Sequence, residues 1–207
     1  MNVLLINGSP HAKGCTHTAL DVIADALKQE GVKAEIVHVG NQPVRGCIGC
    51  YRCKETGKCV FDDIVNEVAT KFEAADGLVI GSPVYYASAA GGLISFLDRL
   101  FFSTSGRFSK RMKVGAAISS ARRAGTVATF DQLNKYFSIA QMPIATSQYW
   151  NEVHGTTVEE VLQDAEGLQT MRVLARNMTF LIKGIALAKA QYGLPAEEPP
   201  AKTNFIR

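Results

Sequence analysis

No apolar run in this sequence approaches the roughly 20 residues that a membrane-spanning helix needs, so no transmembrane segment is expected. The N-terminus carries no basic stretch ahead of its first apolar run, Val3-Leu4-Leu5-Ile6. No secretory leader is therefore expected, and the cytoplasm is the expected compartment. Charge of one sign is scarce. Against 22 Lys and Arg stand 19 Asp and Glu, and the net +3 is too small to call for nucleic acid or a membrane surface as partner. No low-complexity block interrupts the 207 residues, which fit one domain with a sizeable core.

Three common phosphate-binding signatures are also missing. The loop after the first apolar run has only Gly8 and Gly14, in the wrong spacing for G-x-G-x-x-G. A Walker loop would need Gly-Lys-Ser/Thr after four intervening residues. No cysteine has an Arg six positions on, which excludes a Cys-x5-Arg phosphatase loop. What is present is Gly8-Ser9-Pro10-His11-Ala12-Lys13-Gly14-Cys15-Thr16-His17-Thr18, between an apolar strand and an amphipathic helix. Free N–H groups and the dipole at a helix N-terminus form an anion site. Ser9, Thr16 and Thr18 can add hydroxyl donors. Cys15 at this position has either a thiol acidified by the dipole or a plain packing role.

The pattern then alternates between strand and helix. A helix is predicted from Thr16 to Glu30, ended by Gly31, followed by a strand at Lys33–Val39. Asp62-Asp63 can cap a helix carrying Ile64, Val65, Val68 and Phe72. Gly77–Ile80 reads as a buried strand running into Ser82-Pro83-Val84-Tyr85-Tyr86, with a helix from about Ser88 to Phe102. Asp98 and Arg99 are expected to form structural pairs at a helix end. Val114–Ile118 is the fourth strand, a helix follows near Val127–Phe137, and the fifth strand is expected at Pro143–Ser147. From Val158 to Gln191 the chain reads as helix, too long for a small domain unless broken near Gly167 or Gly184 or packed on a partner subunit. The Pro-rich tail, 194–207, is expected to be extended, and 1–193 to form one domain.

Strands alternating with helices imply a parallel sheet covered on both faces, with ligands at the carboxyl ends of the strands. Three unusual loops fall there: Gly8–Thr18, Ser82–Ser88 and Ser119–Gly125. Pro83, Val84, Tyr85 and Tyr86 offer flat apolar surface and backbone amides, suited to a planar heteroaromatic ring. A phosphate loop beside a ring loop points to a mononucleotide with a large ring, and FMN fits. Arg122 and Arg123 lie in the third loop with Ser119 and Gly125, where they can meet cofactor phosphates or stay solvated. His154 either borders the flavin or sits in a turn.

Five cysteines occur, and four of them, Cys47-x2-Cys50-x2-Cys53-x5-Cys59, crowd into one glycine-rich connection, 45–60. Four thiolates at such spacing are a ligand set for a [4Fe–4S] cluster. Structural zinc also takes four thiolates, usually as two separated pairs, and free thiols are a third reading.

Gly8-Ser9-Pro10, Gly14, Thr16, Ser82-Pro83-Val84-Tyr85 and Phe96-Leu97-Asp98-Arg99 together resemble the flavodoxin-like NAD(P)H-dependent FMN reductases over residues 1 to about 150. The cysteine motif resembles that of their iron–sulfur flavoprotein branch. The resemblance implies an α/β three-layer sandwich with a five-stranded parallel sheet of order 2-1-3-4-5. It also implies FMN held by Ser9, His11, Cys15, Thr16, His17, Thr18, Pro83, Val84, Tyr85, Tyr86, Ser119, Arg122 and Gly125. The family's loop has Arg and Asn where this chain has His11 and Cys15, so phosphate binding should lean on Ser9, Thr16 and backbone amides. Cys47, Cys50, Cys53 and Cys59 are the candidate cluster ligands. The expected function is transfer of electrons from NAD(P)H, or a reduced carrier, through FMN and a [4Fe–4S] relay to a small acceptor or redox protein. The alternatives are a cluster-free FMN, quinone or nitro-compound reductase and a flavodoxin-type carrier. The long apolar C-terminal helix and the family both point to a homodimer or homotetramer.

Overall fold

Alternating burial sets the layers. Strand β1 (Asn2–Asn7) sends Leu4 and Ile6 to one face of the sheet and Val3 and Leu5 to the other, all of them buried. The protein is described from a computed structural model covering residues 1–201, 203 and 205. After β1 come helix α1 (Cys15–Gln29), strand β2 (Lys33–His38), a single turn of helix α2 (Cys53–Thr56) and α3 (Ile64–Ala74). Strand β3 (Gly77–Tyr85) is followed by the two-residue β4 (Ser88–Ala89) and α4 (Gly91–Ser103). The chain continues through β5 (Val114–Ala121), α5 (Thr126–Ile139), β6 (Glu152–His154), α6 (Val158–Gln163) and α7 (Ala165–Tyr192).

The sheet order is β2-β1-β3-β5-β6, all parallel, with β4 antiparallel on the end of β3. Counting only the parallel strands, this is the expected 2-1-3-4-5. Helices α3, α4 and α5 cover one face around Phe72, Phe96 and Phe137. Helices α1, α6 and α7 cover the other around Leu20, Ile23, Leu174 and Met178.

Two local expectations are corrected, and a third is narrowed. The fifth strand is not Pro143–Ser147, where only an isolated bridge joins Gly115 to Ile144; the paired strand is Glu152–His154 around buried Val153. The helix after β3 starts at Gly91 rather than Ser88, because Ser88 and Ala89 pair back on Tyr85 and Val84. The long helical region breaks at Asp164, whose carboxylate caps α7 by accepting from the Gly167 N–H, while Gly184 sits inside an unbroken helix. Of the tail predicted as extended, 195–201 has neither helix nor strand, and 202, 204, 206 and 207 lie outside the described residues. Among the described residues no helix is long and apolar enough to cross a membrane.

Candidate functional site

The register brings the strand ends together. Asn7 on β1 lies opposite Gly81 on β3, Ser82 opposite Ser119 on β5, and Ala121 opposite His154 on β6. The loops leaving β1, β3 and β5 therefore share one edge of the sheet.

The first loop is stiffened from within. Asn7 Oδ1 accepts from the Ser9 N–H at 3.0 Å, its Nδ2 donates to the Ala12 carbonyl, and Ser9 Oγ accepts from the His11 N–H. His38, at the end of β2, donates from Nε2 to the Ser9 carbonyl at 2.7 Å. These bonds leave the N–H groups of Ala12, Lys13, Cys15, Thr16 and His17 without an acceptor among the described residues. Helix α1 also has no side-chain cap, its N-cap being Gly14. Helices α4 and α5, which start from the same edge, lack side-chain caps too, whereas α3, α6 and α7 are capped by Asp63, Thr157 and Asp164. Unsatisfied donors and helix dipoles thus gather at the edge where β1, β3 and β5 end.

Thr16 is buried, and its hydroxyl lies 2.8 Å from that of Ser120 at the end of β5. One of the two must donate to the other, which leaves one proton for a further acceptor. The Ser9 hydroxyl likewise keeps its proton free while accepting from His11. Thr18 is committed, donating to the Gly14 carbonyl. His17 turns along the helix to Asp21, Nε2 at 3.2 Å from the carboxylate. Cys15 packs with its thiol 3.7 Å from the Gly155 carbonyl, and burial pushes that thiol up. Of the two readings of Cys15, this favours the packing role over a thiol acidified by the helix dipole.

The second loop is a hairpin whose two tip residues, Tyr86 and Ala87, both adopt left-handed backbone (φ 51° and 57°). That matches a type I′ turn, here built without glycine or asparagine. Ser82 Oγ accepts from the Ala90 N–H, and Gln132 of α5 accepts from Ser88 Oγ and the Ala89 N–H, so both legs are pinned. Pro83 and Val84 are half-buried, while Tyr85 and Tyr86 are exposed. The third loop closes onto this hairpin at Gly125, where φ is +92° and a Cβ would lie 2.7 Å from Val84 Cγ1 and 2.9 Å from Ala87 Cα. Only glycine meets both demands. Ser119 is buried and donates to the Thr126 carbonyl, whereas Arg122 and Arg123 are exposed. His154 is half-buried in β6, its backbone N–H on Asp164.

The cysteine segment packs on the outer side of α4. All four thiols border one recess, together with Phe61, Phe102 and Arg99. Cys47 and Cys50 are exposed, Cys59 is intermediate and Cys53 is buried. Burial raises the Cys53 thiol, and like-charge repulsion from Cys50, Cys59 and Cys47 adds to the effect. Among the described residues no three His, Cys, Asp or Glu side chains close around a single metal ion. Arg99 is 1% exposed and donates from Nε and NH2 to Cys59 Sγ at 3.3 and 3.2 Å. It also makes a two-pronged contact with Asp63 at 2.7 and 2.9 Å and stacks over Phe61. Asp98 points elsewhere, accepting from the Tyr136 hydroxyl.

Arg99 and Ser120 fall within the motif stretches, though their partners do not show there; Asn7, His38 and Gln132 escape a reading of motifs alone. Of those three, only Asn7 carries a sequence signal, an Asn ahead of Gly-Ser, the composition of a side-chain-stabilised turn.

Residues 1–157 match the family model described as NADPH-dependent FMN reductase. An iron–sulfur flavoprotein of Methanocaldococcus jannaschii is 32% identical over 190 residues, covering 88% of this chain and 98% of its own. An iron–sulfur flavoprotein of Methanosarcina thermophila is 27% identical over 180 residues, covering 86% and 93%. Among solved structures, RosB with bound 8-demethyl-8-formylriboflavin-5'-phosphate matches with a TM-score of 0.71 at 14% identity, covering 100% of this chain and 92% of that one. The flavoenzyme NAD(P)H:(acceptor) oxidoreductase FerB of Paracoccus denitrificans matches at 0.64 and 14%, covering 88% and 97%. At such identities the structural likeness shows the flavodoxin-like fold.

Proposed function

We propose, from the premise that this chain belongs to the NADPH-dependent FMN reductase family, that it draws electrons from NAD(P)H or a reduced carrier and passes them on through a [4Fe–4S] cluster in its cysteine segment. The chain is an FMN-binding, flavodoxin-like redox flavoprotein. The observation that supports the FMN part of this reading is the meeting of three strand-end loops at uncapped helix N-termini, and the cluster part rests on four cysteines bordering one recess.

The residues present suit FMN. A phosphate at the first loop would take the free N–H groups of 12, 13 and 15–17 and the unspent protons of Ser9 and the Thr16–Ser120 pair. His11 would add charge when protonated, while Cys15, His17 and Thr18 shape the helix start. Pro83, Val84, Tyr85 and Tyr86 on one side and Ser119, Arg122 and Gly125 on the other would flank the ring and exclude water. The donor set of Cys47, Cys50, Cys53 and Cys59 suits an iron–sulfur cluster, because Arg99 directs two N–H groups at Cys59 Sγ, the arrangement a thiolate ligand accepts. When bound, FMN supplies two-electron acceptance with one-electron release, and the cluster supplies one-electron transfer.

On this reading residues 1–193 act as one FMN-binding domain with 45–60 as its insertion and 194–207 as a tail. The exposed Phe180 and Leu187 of α7 favour a homodimer or homotetramer. The test is anaerobic purification followed by flavin, iron and sulfide analysis and NADH and NADPH oxidation assays. Flavin with iron and sulfide supports the relay. Flavin with turnover but neither iron nor sulfide leaves the cluster-free reductase, and flavin without turnover leaves the carrier.

A further inference from the structure

We propose that the cavity between α4, α5 and the chain after Gly193 binds a planar aromatic carboxylate, with Lys110 as the charged anchor. This cavity of about 970 Å³ lies at the amino-terminal edge of the sheet, away from the loops that leave β1, β3 and β5, and Cys47 of the cysteine segment borders it. Its walls include Phe101, Phe102, Phe108 and Tyr136, and Glu197 and Glu198 lie along its rim. The volume falls within the range of small-molecule sites.

Lys110 lines the cavity although it is only 7% exposed. Its Nζ sits 5.0 Å from the Phe108 ring centre and 6.0 Å from that of Phe101. The neighbouring cations are committed: Lys113 donates to the Glu73 and Ala75 carbonyls, and Arg111 holds Glu197 and the Pro195 carbonyl. Lys110 has no carboxylate or hydrogen-bond acceptor among the described residues. An ammonium set among phenylalanine rings without an anionic partner is costly, and the carboxylate of a ligand would offset that cost with a charge-assisted hydrogen bond. The aromatic walls select a flat apolar body. One uncommitted cation among the described lining residues, with Asp98 and Glu198 also on the lining, selects one negative charge rather than two.

The test titrates the purified holoprotein calorimetrically with 2-naphthoate and with its uncharged analogue 2-naphthalenemethanol. The expected result is at least tenfold tighter binding of the carboxylate. Lys110→Met is expected to remove that preference while unfolding at an equal or higher denaturant midpoint, since it relieves a buried charge. Absence of 2-naphthoate binding at millimolar concentration overturns the proposal. So does equal affinity for the two probes, or a preference that survives in Lys110→Met. A lowered unfolding midpoint in that variant also overturns it, because the amine would then be a structural contact with the phenylalanine rings.

Discussion

Thr16 Oγ1 and Ser120 Oγ lie 2.8 Å apart, so one hydrogen bond ties the first turn of α1 to the carboxyl end of β5 across 104 residues of sequence. Thr16→Val removes the hydroxyl and keeps the side chain's shape. FMN affinity is expected to fall about tenfold, the size of a hydrogen bond to a charged group. Riboflavin, which lacks the phosphate, should bind as before. Flavin fluorescence titration of the apoprotein checks both, and equal losses would put this hydroxyl away from the phosphate.

Gly125→Ala forces a Cβ against Val84 and Ala87 at a left-handed φ. A destabilisation of about 1–3 kcal/mol is expected. Urea unfolding measures it, and a loss below 0.5 kcal/mol would mean that the hairpin yields freely.

Arg99→Met strands Asp63 and leaves Cys59 without its donors. The expected cost is about 3 kcal/mol, the low end for breaking a buried ion pair. Adding Asp63→Asn should recover part of it, because no charge is then left alone. A double-mutant cycle in urea reads the coupling directly, and strict additivity would refute it.

Cys50→Ser should release iron and keep FMN at its wild-type stoichiometry, as judged by metal analysis and the flavin spectrum. Simultaneous loss of both would make the cysteine segment a folding element instead.

Burial lowers Lys110 to about 8, against 10.5 for the free side chain. Between those values the unfolded chain holds more protons than the folded one, so this residue makes stability rise with pH. Below about pH 8 its cost is fully present. Tyr136 moves the opposite way, because burial and then Asp98 favour its neutral form, and its contribution is lost as pH climbs past 10. The difference in unfolding midpoint between wild type and Lys110→Met should therefore narrow from pH 8 to 10. A constant difference would mean that the amine titrates normally.

The core strands and the three strand-end loops were legible because apolar runs such as Val3–Ile6 and Gly77–Ile80 bury on both faces and end in glycine, serine or proline. What failed to show followed from contacts distant in sequence. The turn at Tyr86–Ala87 lacks the glycine or asparagine that marks a left-handed pair, so the sequence pattern puts the next helix three residues ahead of its start at Gly91. Ile144 resembles a strand residue as closely as Val153 does, and only pairing with β5 separates them. Gly167 carries a helix-breaking signal, yet its part is to admit the Asp164 carboxylate, where a Cβ would collide, and the break belongs to Asp164. Arg99 reads from sequence as an ordinary helix-end charge. Its contacts with Asp63 and Cys59 span 36 and 40 residues, which no local pattern encodes.

The missing caps on α1, α4 and α5 bear on how much of this protein a cell keeps. A chain that leaves helix ends for a ligand to finish is incomplete until the ligand arrives. By mass action, free flavin at a hundred times its dissociation constant would add about 2.7 kcal/mol to the folded state. Vitamin supply would then govern the lifetime of the polypeptide against proteases as well as its turnover. Flavin starvation would then thin the protein out as well as slow it.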